Sequence, residues 1–262
     1  MTPTPLDKAQ AFRDLHREGC FVIPNPFDAG SARMLADMGF AALATSSGAA
    51  AGVLGRRDGE LTRDEALAHA RAIVQATDLP VAADLENGFG DAPEDAALTI
   101  RMAAEAGLVG GSIEDAGSVH DRRIYDFDHA VERIAAAAEA ARRLPFPFTL
   151  TARCENFFRG KPDLDDTIRR LQAYQKAGAD VLFAPSLPDL AAVRTVCAAL
   201  DKPFNFMAGR KGFSFSVPEL RDAGVRRISL ATSLYRAAMH GLRQAAAEVR
   251  QQGSFGYLDR LP

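Results

Sequence analysis

The sequence predicts one α/β domain closed into a (β/α)8 barrel, and three observations carry that expectation. Short apolar runs alternate about eight times with longer segments of helical period. Helix-to-strand joints repeat one glycine-centred pattern at Gly39, Gly107, Gly178 and Gly224. No Gly-x-Gly-x-x-Gly phosphate loop is present, so a doubly wound dinucleotide fold is the weaker alternative.

The element order follows from these signals. Candidate strands run over Phe21–Pro24, Ala41–Thr45, Val81–Asp84, Val109–Ile113, Phe148–Ala152, Val181–Ala184, Phe204–Met207 and Arg227–Ala231. Their continuous apolar character suits strands covered on both faces, and parallel pairing needs helical crossovers. Arg63–Thr77, Pro93–Ala106, Asp128–Arg143 and Asp166–Ala177 place apolar residues three and four apart, as amphipathic helices require. A further helix within Leu6–Glu18 precedes the first strand. A helix and tail over about 240–262 follow the last, as a barrel cap or an oligomer contact. No composition shift marks a linker, so residues 1–262 read as one domain.

At 262 residues with 47% hydrophobic and 25% charged residues, the chain can bury a core without disulfides or structural metal. A net charge of −3 with interspersed signs argues against a nucleic-acid surface. No apolar run approaches the ~20 residues of a membrane span. Cys20, Cys154 and Cys197 have neither disulfide-framework nor zinc spacing, and the first residues lack a signal-peptide pattern. A cytoplasmic location is expected.

Active sites of such barrels lie at the carboxyl ends of the strands. The third strand ends in Asp84-Leu85-Glu86-Asn87-Gly88, and two-residue spacing puts Asp84 and Glu86 on one strand face. The fourth ends in Glu114-Asp115, with Asp115 facing away if Glu114 faces in, and the fifth in Arg153-Cys154-Glu155. Converging carboxylates repel unless a cation neutralises them, and oxygen ligands suit Mg2+ or Mn2+. Otherwise such acids cap the helices that follow. Arg153 reads as a clamp for a substrate carboxylate, or as a salt-bridge partner of Glu155 or Glu114. Ser46-Ser47-Gly48-Ala49 offers hydroxyls and close backbone N–H groups to an anion. Glu155 joins these as a candidate substrate contact.

These motifs resemble the isocitrate lyase/phosphoenolpyruvate mutase superfamily from about Phe21 to Met239. Pro24-Asn25-Pro26-Phe27-Asp28-Ala29-Gly30-Ser31-Ala32-Arg33 is similar to its opening strand and helix, and Ser47-Gly48 to its substrate-holding turn. Asp84-Leu85-Glu86-Asn87-Gly88-Phe89-Gly90 is similar to its metal motif, with Glu86 in place of the usual aspartate. Glu114-Asp115 and Ala152-Arg153 match the next strand ends. The resemblance implies a magnesium site using Asp84, Glu86 and Glu114, with Asp58 beside it as a catalytic candidate, and substrate contacts from Ser47, Gly48 and Arg153. It also implies a homodimer or homotetramer that exchanges its last helix.

The segment after Glu114 departs from the lyases of that family, which carry a lid cysteine. Here it reads Asp115-Ala116-Gly117-Ser118-Val119-His120-Asp121-Arg122-Arg123, with no thiol. His120 is the remaining candidate acid or base, beside Arg122 and Arg123. The expectation is a Mg2+-dependent C–C lyase or decarboxylase for a small 2-oxo or 2-hydroxy di- or tricarboxylate, working through a metal-stabilised enolate. Phosphonopyruvate-type P–C chemistry and a non-catalytic barrel that binds 2-oxo acids are the alternatives.

Overall fold

The computed structural model describes residues 2–117 and 123–260. Eight parallel strands form one sheet in the order β1-β8-β7-β6-β5-β4-β3-β2. They are β1 (Phe21–Ile23), β2 (Leu43–Ala44), β3 (Val81–Asp84), β4 (Gly110–Glu114), β5 (Thr149–Arg153), β6 (Val181–Phe183), β7 (Phe204–Met207) and β8 (Arg227–Ser229). The Ala44 N–H donates to the Pro24 carbonyl at 3.1 Å, joining the two ends of the sheet. The barrel is thereby closed as the alternation predicts, with β2 shorter than the sequence run because little of it meets the first strand.

The helices follow as α1 (Pro5–Asp14), α2 (Ala29–Asp37), α3 (Ser47–Val53), α4 (Arg63–Ala76), α5 (Pro93–Glu105), α6 (Phe127–Arg142), α7 (Leu164–Ala177), α8 (Leu190–Ala198), α9 (Val217–Asp222) and α10 (Ser233–Gln252). Capping boxes start α1, α2, α4 and α9, where Ser, Thr or Asp oxygens satisfy first-turn N–H groups that have no helical partner. The four predicted glycine joints all adopt the left-handed conformation, at φ +87, +90, +114 and +97° for Gly39, Gly107, Gly178 and Gly224. An L side chain there costs about 1–2 kcal/mol. At Gly178 a Cβ would also meet Arg142 Nη1 at 2.7 Å.

Two layers of burial result. The larger core lies between strands and helices, with Ile100, Ile113, Ile134, Leu171 and Phe204 all essentially inaccessible. A smaller cluster of Ala9, Phe12, Ile23, Ala82 and Val109 shows how α1 plugs the amino-terminal floor of the barrel. Burying such side chains stabilises by roughly 1.5–3 kcal/mol each, which fixes the strands whose opposite ends carry the polar residues. The long final helix α10 buries none of its residues in this chain, and Leu242 is 62% exposed. Among the described residues no helix is long and apolar enough to cross a membrane.

Candidate active site

A cavity of about 500 Å³ opens at the carboxyl ends of the strands and descends into the barrel. Ser46, Ser47, Gly48, Asp58, Asp84 and Arg153 line it. Ser46 is the N-cap of α3, so the predicted Ser/Gly turn is the start of a helix. A Cβ at Gly48 would lie 2.8 Å from Thr232 Cγ2 and 3.3 Å from Asp58 Cγ, so this backbone approaches both neighbours as only glycine permits. Ala49, also predicted to contact substrate, is fully buried behind that helix start and does not line the cavity.

Arg153 organises the acids. Its Nε donates to Glu155 Oε1 at 2.5 Å, and its Nη1 lies 3.4 Å from Glu114 Oε2 and 3.7 Å from Asp84 Oδ2. Burial opposes its charge, but Glu155, Glu114 and Asp84 outweigh burial and raise its pKa above the ordinary value. Arg159, which lies past β5 and so is not marked by any strand end, pairs with Glu114 Oε1 at 3.0 Å and Glu155 Oε2 at 3.1 Å. The signal available for it was its four-residue spacing from Glu155. Glu155 is wholly buried between the two arginines and does not line the cavity, so it orients Arg153 from outside the cavity.

Asp84 reaches into the cavity. It accepts the Ser47 hydroxyl at 2.9 Å, and its own N–H donates to Thr45 Oγ1 at 3.2 Å. Asp58 faces it, and burial and Asp84 together push its carboxyl pKa up. Glu86 does not follow the expected strand alternation. β3 ends at Asp84, and Glu86 turns through φ +49°, an unusual conformation for a residue with a Cβ. Its side chain borders a neighbouring cleft with Asn87 and Arg63. Burial, Asp84 and Asp58 still press its pKa up to about 8. Glu114 is buried, and burial and Glu155 raise its pKa well above the carboxylate range.

Asp115 faces the helix layer, accepting from Tyr174 Oη at 2.5 Å and Arg170 Nη1 at 3.2 Å. Cys154 is likewise buried on that side, away from the cavity. His120 and Arg122 lie outside the described residues. Apolar side chains contribute too: Phe158, Phe183 and Met207 line the cavity, while Phe206 is core.

Among the described residues no three Asp, Glu, His or Cys side chains group closely enough to hold an ion between them. The reason is the guanidinium of Arg153, which stands among Asp84, Glu114 and Glu155, and the bend at Glu86. The donor set still suits a hard cation. Asp58, Glu86 and Glu114 each have a proton affinity raised first by burial and then by a neighbouring carboxylate, and an added cation would relieve the second part. Cations line the same cavity, from Arg210, Lys211 and Arg236. No motif announced these three, because they come from the loop after β7 and from α10.

The phosphoenolpyruvate phosphomutase family matches residues 12–250. The Escherichia coli K12 2-methylisocitrate lyase is 31% identical over 256 residues, covering 94% of this chain and 85% of that protein. A solved structure from Burkholderia cenocepacia J2315 is 52% identical with a TM-score of 0.95, covering 98% and 93% of the two chains, and its description, lyase/mutase, does not choose between the two chemistries. Oxaloacetate acetylhydrolase in complex with its product oxalate superposes with a TM-score of 0.89 at 25% identity, covering 97% and 90%. With most of its length matched and its acids and arginine at the same barrel mouth, the chain belongs to the phosphoenolpyruvate mutase/isocitrate lyase superfamily.

Proposed function

We propose that this protein is a Mg2+-dependent C–C lyase or decarboxylase for a small 2-oxo or 2-hydroxy di- or tricarboxylate of the oxaloacetate or substituted-malate type. The observation that carries this reading is the mixed charge of one cavity: Asp84 and Asp58 line it together with Arg153, Arg210, Lys211 and Arg236. Such a cavity suits a substrate with a chelating end and a distal carboxylate. The naming of relatives as 2-methylisocitrate lyase and oxaloacetate acetylhydrolase supports the same class.

Asp84, with Glu86 and Glu114, would hold the metal. Bound there, Mg2+ would polarise the 2-oxo or 2-hydroxy group and offset developing negative charge. Arg153 grips the adjacent carboxylate, held in aim by Glu155 and Arg159. Ser47 and Gly48 supply donors beside it. From a 2-hydroxy acid, the hydroxyl proton leaves as the C2–C3 bond breaks, and the electron pair passes to C3, which takes up a proton. From oxaloacetate, CO2 departs and the remaining enolate is protonated to pyruvate. Asp58, facing Ser47 and Asp84, is positioned to carry a proton in either case, and His120 is proposed as its partner from the adjoining segment.

P–C bond chemistry is the second reading, favoured by the family description itself. We also assign the uncovered face of α10, with Leu242 exposed, to contact with a second copy in a homodimer or homotetramer. Three free cysteines suit a cytoplasmic setting.

The test is pyruvate release, followed through lactate dehydrogenase, from oxaloacetate, 2,3-dimethylmalate, 2-methylisocitrate and phosphonopyruvate, with Mg2+ and with excess EDTA. Spontaneous oxaloacetate decay is subtracted. EDTA-sensitive pyruvate from a C–C substrate is the expected result. Release from phosphonopyruvate alone moves the protein to the phosphonate branch, and release from none of the four removes the decarboxylase assignment.

A further inference from the structure

Arg227 opens β8 at the lower end of the barrel, fully buried, and lines the deep end of the cavity. Its Nε donates to Asn205 Oδ1 at 2.7 Å and its Nη2 to Thr151 Oγ1 at 3.0 Å. Its Nη1 lies 3.3 Å from His16 Nε2. The other ring nitrogen of His16 faces the Phe12 carbonyl at 2.8 Å, so Nδ1 carries the proton and Nε2 is the neutral acceptor. Burial and Arg227 press the His16 pKa down to about 3, which keeps that ring uncharged. Every partner of this guanidinium is therefore neutral.

Among the described residues Arg227 makes no ion pair, whereas Arg153, Arg159 and Arg170, also buried, each bind carboxylates. Burial presses the Arg227 pKa down to about 9 with no acid raising it. A guanidinium has five N–H donors. Three are engaged in these contacts, leaving two. Of its contacts, Thr151 and Asn205 line the same cavity, as do the small or hydroxylic Ala82, Ser112 and Ser229. A buried cation without a counter-charge is costly, and an open polar cavity beside it is where a counter-ion fits.

We propose that the barrel floor at Arg227 binds one small monovalent anion, of chloride or formate size. The site is one layer below the catalytic mouth, since Thr151 lies two residues before Arg153 on β5, and it does not depend on the reaction assigned above. Its occupant neutralises the guanidinium and so ties the cavity floor to α1 through His16.

The test is the unfolding midpoint at constant ionic strength, with sodium methanesulfonate, which has no carboxylate or hydroxyl for the catalytic mouth to chelate, replaced stepwise by sodium chloride or sodium formate. The wild-type midpoint should rise saturably by about 3 °C. Arg227→Met should remove the rise, and the rim variant Arg210→Ala/Lys211→Ala should keep it, since rim cations are not its source. A flat wild-type response overturns the proposal, as does a rise that survives Arg227→Met or disappears in the rim variant. Should Arg227→Met fail to fold, crystals of the wild type soaked in bromide decide the matter. Anomalous density in contact with the Arg227 guanidinium is expected, and bromide found only at the rim or surface contradicts it.

Discussion

Asp84→Ala is expected to lower Mg2+-dependent turnover by at least about 100-fold, beyond what loss of an outer-shell metal contact produces. Asp84 is the acid that both lines the cavity and stands among three others, Asp58, Glu86 and Glu114, whose proton affinities it raises. Removing it takes away the oxygen proposed to hold the metal and the acceptor of the Ser47 hydroxyl together. The fold should persist, because Asp84 is half-buried at a strand end rather than packed in the core. Steady-state kinetics over a Mg2+ titration, with the circular dichroism spectrum as a folding control, check this. Turnover within a few-fold of wild type at saturating Mg2+ would remove Asp84 from the metal site.

Replacing Arg153 should produce two separable effects. Arg153→Lys keeps the charge but not the planar fork, so kcat/KM should fall by about 10²–10³-fold, as when one preorganised donor to a developing anion is lost. The fold should survive, because an ammonium still stands among Glu155, Glu114 and Asp84. Arg153→Met removes the charge and leaves buried carboxylates facing one another. That should destabilise the chain by about 3–5 kcal/mol, read as a lowered midpoint in urea unfolding. If Arg153→Lys were as active as wild type, the arginine would be a structural counter-ion and not a substrate clamp.

The barrel was legible because its signals are local. Gly39, Gly107, Gly178 and Gly224 mark helix ends that demand positive φ, and apolar runs of strand length recur between them. Asp84 and Arg153 were legible for a related reason: each is the last residue of its strand, where barrel geometry turns sequence position into orientation. The alternation argument failed one turn later at Glu86, since it assumes extended backbone and the chain had already bent to φ +49°. Glu155 was placed with the substrate contacts because its strand end was, yet two arginines enclose it. Arg159, Arg210, Lys211 and Arg236 come from loops and a helix, where no periodicity says which way a side chain faces. The cavity that Arg210, Lys211 and Arg236 line is a property of closure, visible only once distant segments meet. The missing lid cysteine was plain in the sequence, and the buried Cys154 does not replace it.

A metal joining Asp84 to a chelating 2-oxo acid within reach of Arg153 is the centre of the proposed chemistry. Oxalate, a planar dianion that resembles the carboxylate end of a pyruvate enolate, reports on that directly by calorimetric titration into the protein with Mg2+ and after EDTA. The account predicts binding with Mg2+ that weakens at least about 100-fold when the metal is removed. Equal oxalate affinity with and without Mg2+ would contradict it, leaving an anion-binding barrel whose arginines alone hold the ligand.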